Sequence, residues 1–254
     1  MKISALAAAV SLLSVTLLPT TLTTVQAAEL KVLAGGSIAG PLNELKAQFE
    51  RDSGHKLTIH FDSTPNLIKL VTSDAPFDLG VVPVDVFKDA AAKDRFVPGP
   101  TIDIARVGYG VAVRAGAAKP DISTPDALKQ TLIKAQSIAT LPASAAGAYV
   151  LSVFARLGIG EEIKAKIKAQ ATPAEIPQAV AKGEAELGVF LTNVLIAPGV
   201  ELLGSFPAEL QQELLFTAAV AQASKEADAA KELIAFLRSP AATSVIKAKG
   251  MNPG

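Results

Sequence analysis

The sequence predicts a two-lobed α/β protein with mainly parallel sheets and a hinge of two crossing strands. Strand-like apolar runs alternate with helix-like amphipathic runs almost to the end of the chain, which is typical of parallel sheets covered by helices. Two strand-like runs, Val107 to Gly116 and Glu213 to Gln222, are long and bracket the middle of the chain. If both cross between lobes, they form the hinge, and a cleft lies between the lobes.

The individual elements follow from the spacing of their apolar residues. Strands alternate or are wholly apolar, whereas helices repeat apolar residues three and four positions apart. The predicted strands are 30–33, 56–61, 77–83, 107–116, 136–141, 186–191 and 213–222. The predicted helices are 41–51, 65–72, 84–92, 126–135, 147–157, 175–182, 227–237 and 241–249. We therefore expect lobe I to comprise 28–108 and 217–254, and lobe II to comprise 109–216.

The first 27 residues have the features of a secretory signal peptide. Lys2 supplies a positive charge, Ile3 to Leu18 is apolar and small, and Val25 to Ala27 fits a small-residue cleavage site. The apolar run is too short and too rich in Ala and Ser for a membrane span. We expect an exported, periplasmic protein that begins near Ala28, with a retained N-terminal anchor as the alternative.

The composition excludes several classes of protein. Cysteine is absent, which rules out thiolate nucleophiles and thiolate metal sites. Without Lys2 the chain has 23 Lys and Arg against 24 Asp and Glu, so its charge favours neither nucleic acid nor an anionic membrane. Only 5% of residues are aromatic, which argues against stacking sites for bases or sugars. We expect a monomer without cofactor or metal.

Four strand-to-helix junctions are rich in glycine and small hydroxyl residues. They are "GGSIAG" at Gly35, "DSTPN" at Asp62, "PASAAGAY" at Pro142 and "ATPAE" at Ala171. Each helix start has free N–H groups and the positive end of a helix dipole. Ligands of open α/β sheets bind at this edge. If the junctions converge, they form a site for a small anion that needs no full positive charge.

The candidate ligand-binding residues come from these junctions. They are Gly36, Ser37, Ser63, Thr64, Ser144, Ala146 and Tyr149. Helix capping is the alternative role for the junctions, because Thr64-Pro65 and "TPAE" at Thr172 both follow capping patterns. For Tyr149 the alternative is packing on its own helix.

The order of the motifs resembles the periplasmic molybdate-binding proteins of ABC importers. The segments "VLAGGSIAGPLNELKAQFE", "APFDLGVVPVD", "AAGAYVLSVFARLGI" and "AVAKGEAELGVF" follow the order and spacing of that family. The resemblance covers essentially the whole chain after the signal peptide. It implies a type 2 periplasmic binding protein, whose two lobes close on a small anionic ligand, and an ABC importer as membrane partner.

The resemblance also implies which residues contact the anion. Ser37 matches the family's serine after the first strand, Thr64 lies at its second serine, and Ala146 matches an alanine that binds through its backbone. Pro173 stands where the family has a valine N–H donor, and proline has no N–H. Leu191 stands where the family has a tyrosine hydroxyl.

A second resemblance suggests an enzyme as the alternative function. "VAVRAGAAKPDISTPDALKQTLIKAQSIA" and "IPQAVAKGEAELGV" are similar to an exported branch that includes aconitate isomerase, which moves a proton and a double bond in a tricarboxylate. Such chemistry needs an acid and a base at the ligand. The candidates are His60, Asp62, Tyr109 and Tyr149. Arg106 and Arg114 flank the first long strand, and the sequence leaves open whether their side chains face the cleft or the solvent.

We therefore expect an exported anion-binding protein that closes by a hinge and serves an ABC importer. An aconitate-isomerase-like enzyme is the alternative, and a sensor partner of a membrane receptor is a third. The sequence leaves open whether the anion is an oxyanion or an organic carboxylate.

Overall fold

The computed structural model describes residues 27–254. The predicted signal peptide, apart from its last residue, lies outside this range. Among the helices of the described range, none has the length and apolar character needed to cross a membrane.

The described part of the chain contains ten strands and ten helices in an α/β order. In chain order they are β1 (Glu29–Gly35), α1 (Ala39–Ser53), β2 (Lys56–Asp62), α2 (Thr64–Thr72), β3 (Leu79–Pro83), α3 (Ala90–Lys93), β4 (Ile102–Arg114), α4 (Pro125–Lys134), β5 (Ile138–Thr140), α5 (Ala145–Arg156), α6 (Gly160–Ile163), β6 (Ile167–Ala169), α7 (Glu175–Ala181), β7 (Leu187–Leu191), α8 (Thr192–Leu195), β8 (Val200–Ser205), β9 (Glu213–Val220), α9 (Ala227–Leu237), α10 (Pro240–Ala248) and β10 (Asn252–Pro253).

The first helix shows how local sequence sets an element. Helix α1 buries Leu42, Leu45 and Phe49 on the face that packs on the sheet, as their spacing predicts. It ends at Gly54, whose φ of 78° is left-handed and whose N–H donates to Glu50 O at 3.2 Å. Glycine adopts this conformation without steric cost, so the helix stops there and β2 begins two residues later.

The sheet has the strand order β2-β1-β3-β9-β4-β7-β5-β6, and β8 and β10 also pair with β4. We call β2, β1, β3, β9, β10 and the first half of β4 the first section, and the second half of β4 with β7, β8, β5 and β6 the second section. The pairs β1–β2, β1–β3, β5–β6 and β5–β7 are parallel. All pairs of the long strands β4 and β9 are antiparallel. The sheet is therefore mixed, and not mainly parallel as predicted, because both long strands run against their neighbours.

Strand β4 passes from the first section to the second at Tyr109. Its residues up to Gly108 pair with β9, and those from Tyr109 onward pair with β7. At the change, the Tyr109 N–H donates to Gln211 Oε1, and Gln211 Nε2 donates to Tyr109 O, both at 2.9 Å. The Gln211 side-chain amide therefore satisfies the backbone N–H and C=O of Tyr109 at the point where β4 changes its pairing from β9 to β7.

The chain returns to the first section through residues 206–212. Strand β9 pairs over its length with β3 and with the first half of β4, both in the first section. The return therefore precedes Glu213.

The predicted elements differ from the structure in several places, and the short elements α6, β6, α8 and β10 were not predicted. The helix expected at 84–92 is a 3-10 turn, Val84–Lys88, followed by α3, because Asp89 is extended and its carboxylate accepts the Ala92 N–H at 2.9 Å. Strand β4 begins five residues earlier than expected, at Ile102. Strand β8 was not predicted, because its residues are half-buried without alternation.

Candidate functional site

One cavity lies between the two sheet sections, at the carboxyl ends of β1, β2, β3 and β5. All four predicted junctions contribute to its lining. The junction residues on the lining are Gly35, Gly36, Ser37, Asp62, Ser63, Thr64, Ser144, Ala146 and Pro173. We call it the site cavity; its volume is about 20 Å³, enough for one or two water molecules. All predicted ligand-binding residues except Tyr149 are on this lining.

The glycines of the first junction let the backbone approach the opposite wall closely. A Cβ on Gly35 would lie 2.7 Å from Phe216 Cε1, and a Cβ on Gly36 would lie 3.2 Å from Pro173 Cγ. Pro173 belongs to the loop before α7, in the second section. The backbone of the 3-10 turn at Ser37 therefore lies directly against residues of both sections.

The second junction carries a carboxylate that is ionised at neutral pH. Burial raises the pKa of Asp62, but hydrogen bonds from Asn66, the Ser63 N–H and His60 outweigh it, so the net shift of the pKa is downward. Asp62 Oδ1 accepts the Ser63 N–H at 2.7 Å and Asn66 Nδ2 at 2.9 Å, and Oδ2 lies 3.4 Å from His60 Nε2. The Ser63 N–H is thus already occupied.

The third junction is a tight helix cap. Ser144 Oγ accepts the Gly147 N–H at 2.9 Å and donates to Leu141 O at 2.8 Å. Its proton is therefore committed, and Ser144 shapes the turn rather than offering a free donor. The N–H of Ala146, in the first turn of α5, has no acceptor within the helix.

Two hydrogen bonds join the two sections beside the site cavity. The Ala145 N–H of the second section donates to Thr64 Oγ1 at 3.4 Å. Asn193 Nδ2, at the start of α8, donates to Ser37 O at 2.8 Å. Together with the contact between Gly36 and Pro173, these bonds mean that the structure shows the two sections closed on one another.

The strands supply an apolar part of the lining. Its members are Pro83, Leu141, Phe190, Leu214 and Phe216. Within the described residues, no Lys or Arg lines the cavity, and Asp62 is the one charged residue that does. The arrangement combines neutral hydrogen-bond donors with apolar surface.

Tyr149 lies outside the site cavity, unlike the other predicted ligand-binding residues. Its hydroxyl donates to Leu210 O at 2.8 Å, and its ring packs on Tyr109 at 4.6 Å between centroids. The side chain therefore ties α5 to the returning segment 206–212.

Burial, with smaller effects from Asp85 and Tyr149, raises the pKa of Tyr109 far above its usual value, so Tyr109 stays protonated and is not a base at neutral pH.

This placement leads to a prediction for Tyr149→Phe. The variant keeps the ring and loses the hydrogen bond to Leu210 O, so we expect it to be less stable by about 1 kcal/mol, with unchanged affinity for the ligand. Urea denaturation and calorimetric titration measure the two quantities. A loss of affinity without a loss of stability would return Tyr149 to the site.

The arginines and the buried histidine have other roles. Arg106 Nη2 donates to Asp103 Oδ2 at 2.9 Å, three residues away on β4, and Arg114 is exposed at the end of β4. Neither lines the site cavity. His55 is buried, and its Nε2 lies 3.2 Å from Glu232 Oε2. His55 therefore joins β2 to α9 and is not a ligand contact.

The sequence analysis missed Phe190 and Asn193. Asn193 lies two residues after the end of strand β7, so the rule that ligands bind at the carboxyl ends of strands could have identified it. Phe190 was assigned to a buried strand, and nothing in its sequence context distinguishes a lining residue from a core residue.

Comparisons with known proteins agree on one family. Residues 30–252 match the model of the family described as bacterial extracellular solute-binding protein. The chain is 33% identical to aconitate isomerase of Pseudomonas sp, over 88% of this chain and 87% of that protein. It is 31% identical to the molybdate-binding protein of Azotobacter vinelandii, over 89% of this chain and 90% of that protein.

A solved structure shows the same fold. The periplasmic molybdate-binding protein of Azotobacter vinelandii superimposes with a TM-score of 0.74 at 20% identity, over 89% of this chain and 99% of that chain. The predicted fold class, a two-lobed α/β binding protein, is thereby confirmed. By sequence and by fold, the chain belongs to the bacterial extracellular solute-binding protein family.

Proposed function

We propose that this protein captures a small anion in the site cavity and delivers it to an ABC importer. The observation that carries the proposal is the convergence of four helix-start junctions on one cavity whose donors are all neutral. Free N–H groups and helix dipoles stabilise an anion at such a place without a cation. The named relatives include a molybdate-binding protein, which supports an anionic ligand.

The free donors come from both sections. Ser37 and Thr64 provide backbone N–H groups from the first section, and Ala146 provides one from the second. The hydroxyl protons of Ser37 and Ser63 have no acceptor within residues 27–254, and the Thr64 hydroxyl, which accepts from Ala145, keeps its proton for a ligand. An anion bound here would hold the two sections together.

Closure is the proposed signal to the membrane partner. Lobe I would comprise the first section with its helices, and lobe II would comprise the second section. The hinge would consist of β4 at Tyr109 and the segment 206–212. A ligand that contacts both lobes stabilises the closed state in proportion to its differential affinity for that state. We also propose that residues 1–27 act as a signal peptide and that the protein works in the periplasm.

Serine 37 provides the direct test of the site. Ser37→Ala removes a hydroxyl donor but keeps the backbone, whose carbonyl Asn193 still holds. Because hydrogen bonds to charged groups are the strong ones, we expect the Kd for the ligand to rise on the order of tenfold with the unfolding temperature of the free protein unchanged.

The measurement is a thermal-shift screen against oxyanions and carboxylates, followed by calorimetric titration of each hit. Ser244→Ala, an exposed serine of α10 outside the cavity, is the matched control. Equal affinity of Ser37→Ala and the unchanged protein for every bound anion would remove Ser37 from the site.

An isomerase is the second candidate, favoured by the 33% identity to aconitate isomerase and by the ionised Asp62 beside the cavity. A carboxylate within reach of the ligand is the base that such proton transfer requires. Conversion of trans-aconitate to the cis isomer, followed by absorbance, tests it. If the protein converts trans-aconitate and the Asp62→Asn variant does not, the protein is an isomerase. If the protein binds trans-aconitate without converting it, it is a binding protein.

A further inference from the structure

We infer that Gln211 is the positioning residue of lobe closure, because its side-chain amide holds together the two chain segments that cross between the sections. The inference rests on the proposed function, since it concerns the hinge through which the lobes close on their ligand. Three observations carry it: the place where each crossing segment changes section, the hydrogen bonds that join the two places, and the glycine that makes room for them.

On β4, the change of section falls between two consecutive residues. Gly108 pairs with Glu213 of β9, in the first section. Tyr109, the next residue, pairs with Leu191 of β7, in the second section. A rotation of one section against the other therefore changes the backbone angles of β4 at Gly108 and Tyr109.

The returning segment belongs to the second section as far as Leu210, because two side chains of α5 donate to its carbonyl groups. They are the Tyr149 hydroxyl, which donates to Leu210 O at 2.8 Å, and Arg156 Nη2, which donates to Glu209 O at 2.9 Å. Glu213 then begins β9 in the first section. The change of section therefore falls on Gln211 and Gln212.

The Gln211 side chain joins these two places. Its Oε1 accepts the Tyr109 N–H and its Nε2 donates to Tyr109 O, both at 2.9 Å. The Gln212 N–H also donates to Gln211 Oε1, at 3.1 Å. A Cβ at Gly108 would lie 3.1 Å from Gln211 Cδ, so the glycine leaves room for the amide beside β4. The amide is therefore held by both crossing segments.

A side chain suits this place better than a backbone ladder. The N–H and C=O directions of paired strands are fixed by their backbone angles, so a rotation would break such a pair. The Gln211 side chain has three rotatable bonds and can follow the rotation while it stays bonded to Tyr109. Without the amide, the two crossing segments can move independently, and the ligand-free lobes sample a wider range of orientations.

The test measures the distance between the lobes. Gln211→Met keeps the length of the side chain and removes both hydrogen bonds to Tyr109, and Gln212→Met is the matched control at the exposed neighbour. The chain has no cysteine, so spin labels attach only to cysteines introduced by Asn43→Cys on α1 and Gln130→Cys on α4, both exposed. Double electron–electron resonance then gives the distribution of distances between the two sections.

In the ligand-free protein we expect Gln211→Met to broaden the distance distribution and Gln212→Met to leave it unchanged. A wider open ensemble makes closure less favourable, so the Kd for a bound anion should rise about twofold to tenfold, the equivalent of one neutral hydrogen bond. A purely structural role would lower the unfolding temperature without broadening the distribution. Equal widths in folded Gln211→Met and Gln212→Met would overturn the inference.

The outcomes separate the inference from the proposed function. Molybdate, sulfate and trans-aconitate are each added to the labelled protein that has the native Gln211. If none of them shortens the distance between the labels, the proposed closure on an anion is contradicted, whereas the ligand-free widths still decide the role of Gln211. Shortening by one of them, with equal widths in the two variants, would leave the binding function standing and overturn the inference.

A second variant covers the case in which Gln211→Met does not fold. A cooperative thermal transition shows that a variant is folded. In Gln211→Glu at neutral pH, the introduced carboxylate can still accept the Tyr109 N–H but cannot donate to Tyr109 O. We expect a broader distribution for this variant and none of that effect for the control Gln212→Glu. An unchanged width in folded Gln211→Glu would also overturn the inference.

Discussion

A Gly147→Ala variant is expected to lose about 3 kcal/mol or more of its free energy of unfolding. A Cβ at this position would lie 1.7 Å from Leu141 O and 2.5 Å from Leu141 C. Both are backbone atoms, so no side chain can rotate away to make room. Ser144 holds the same turn through hydrogen bonds to Leu141 O and to the Gly147 N–H, and the turn cannot widen without losing them.

Urea denaturation measures this loss, and Gly160→Ala is the matched control. Gly160 begins α6, where an added Cβ would lie 3.7 Å from Ala155 Cα, an ordinary van der Waals distance. There alanine should change the free energy of unfolding by no more than about 0.5 kcal/mol, because it fits without strain. The same free energy of unfolding for Gly147→Ala and the unchanged protein would show that the junction between β5 and α5 is looser than the structure shows.

An Asn193→Ala variant is expected to bind the ligand about twofold to fourfold more weakly, while its stability without ligand changes little. Asn193 Nδ2, in the second section, donates to Ser37 O, in the first section, at 2.8 Å, so this bond exists only when the two sections are closed. A neutral hydrogen bond contributes about 0.5–1.5 kcal/mol. Asn193 Oδ1 is buried without a partner in the described structure, which keeps the net contribution near the lower end of that range.

The affinity loss should come with a faster dissociation rate, since closure retains the ligand after binding. Stopped-flow displacement measures that rate, and X-ray scattering of the ligand-bound protein reports how far the lobes close. Asn43→Ala, an exposed position on α1, is the control and should change neither quantity. If Asn193→Ala kept the dissociation rate of the unchanged protein, the bond to Ser37 would have no part in closure.

Much of the secondary structure could be predicted from the sequence because its signals are local. The spacing of Leu42, Leu45 and Phe49 predicts both the helix α1 and the face that it buries, and Gly54 predicts its end. The failures occurred where nonlocal contacts decide. Strand β8 is held by pairing with β4, and its half-buried residues show no alternation.

The sequence predicted which strand-to-helix junctions form the candidate site, but it did not predict which contacts their side chains make. Glycine and hydroxyl residues at strand ends identified Ser37, Thr64 and Ala146, which all line one cavity. The same reasoning placed Tyr149 at the ligand, although its hydroxyl is bonded to Leu210 O, more than sixty positions away in the chain.

By itself, the sequence determined that this protein alternates strands with helices, that its junctions are rich in neutral donors, and that it has no thiols. These properties depend on residues that are neighbours in the chain. Only the tertiary structure decided which donors remain free, that Asn193 reaches Ser37, and that Phe190, Leu214 and Phe216 face the cavity. Those properties depend on the distance between segments far apart in sequence, which packing around β4 sets and no local pattern encodes.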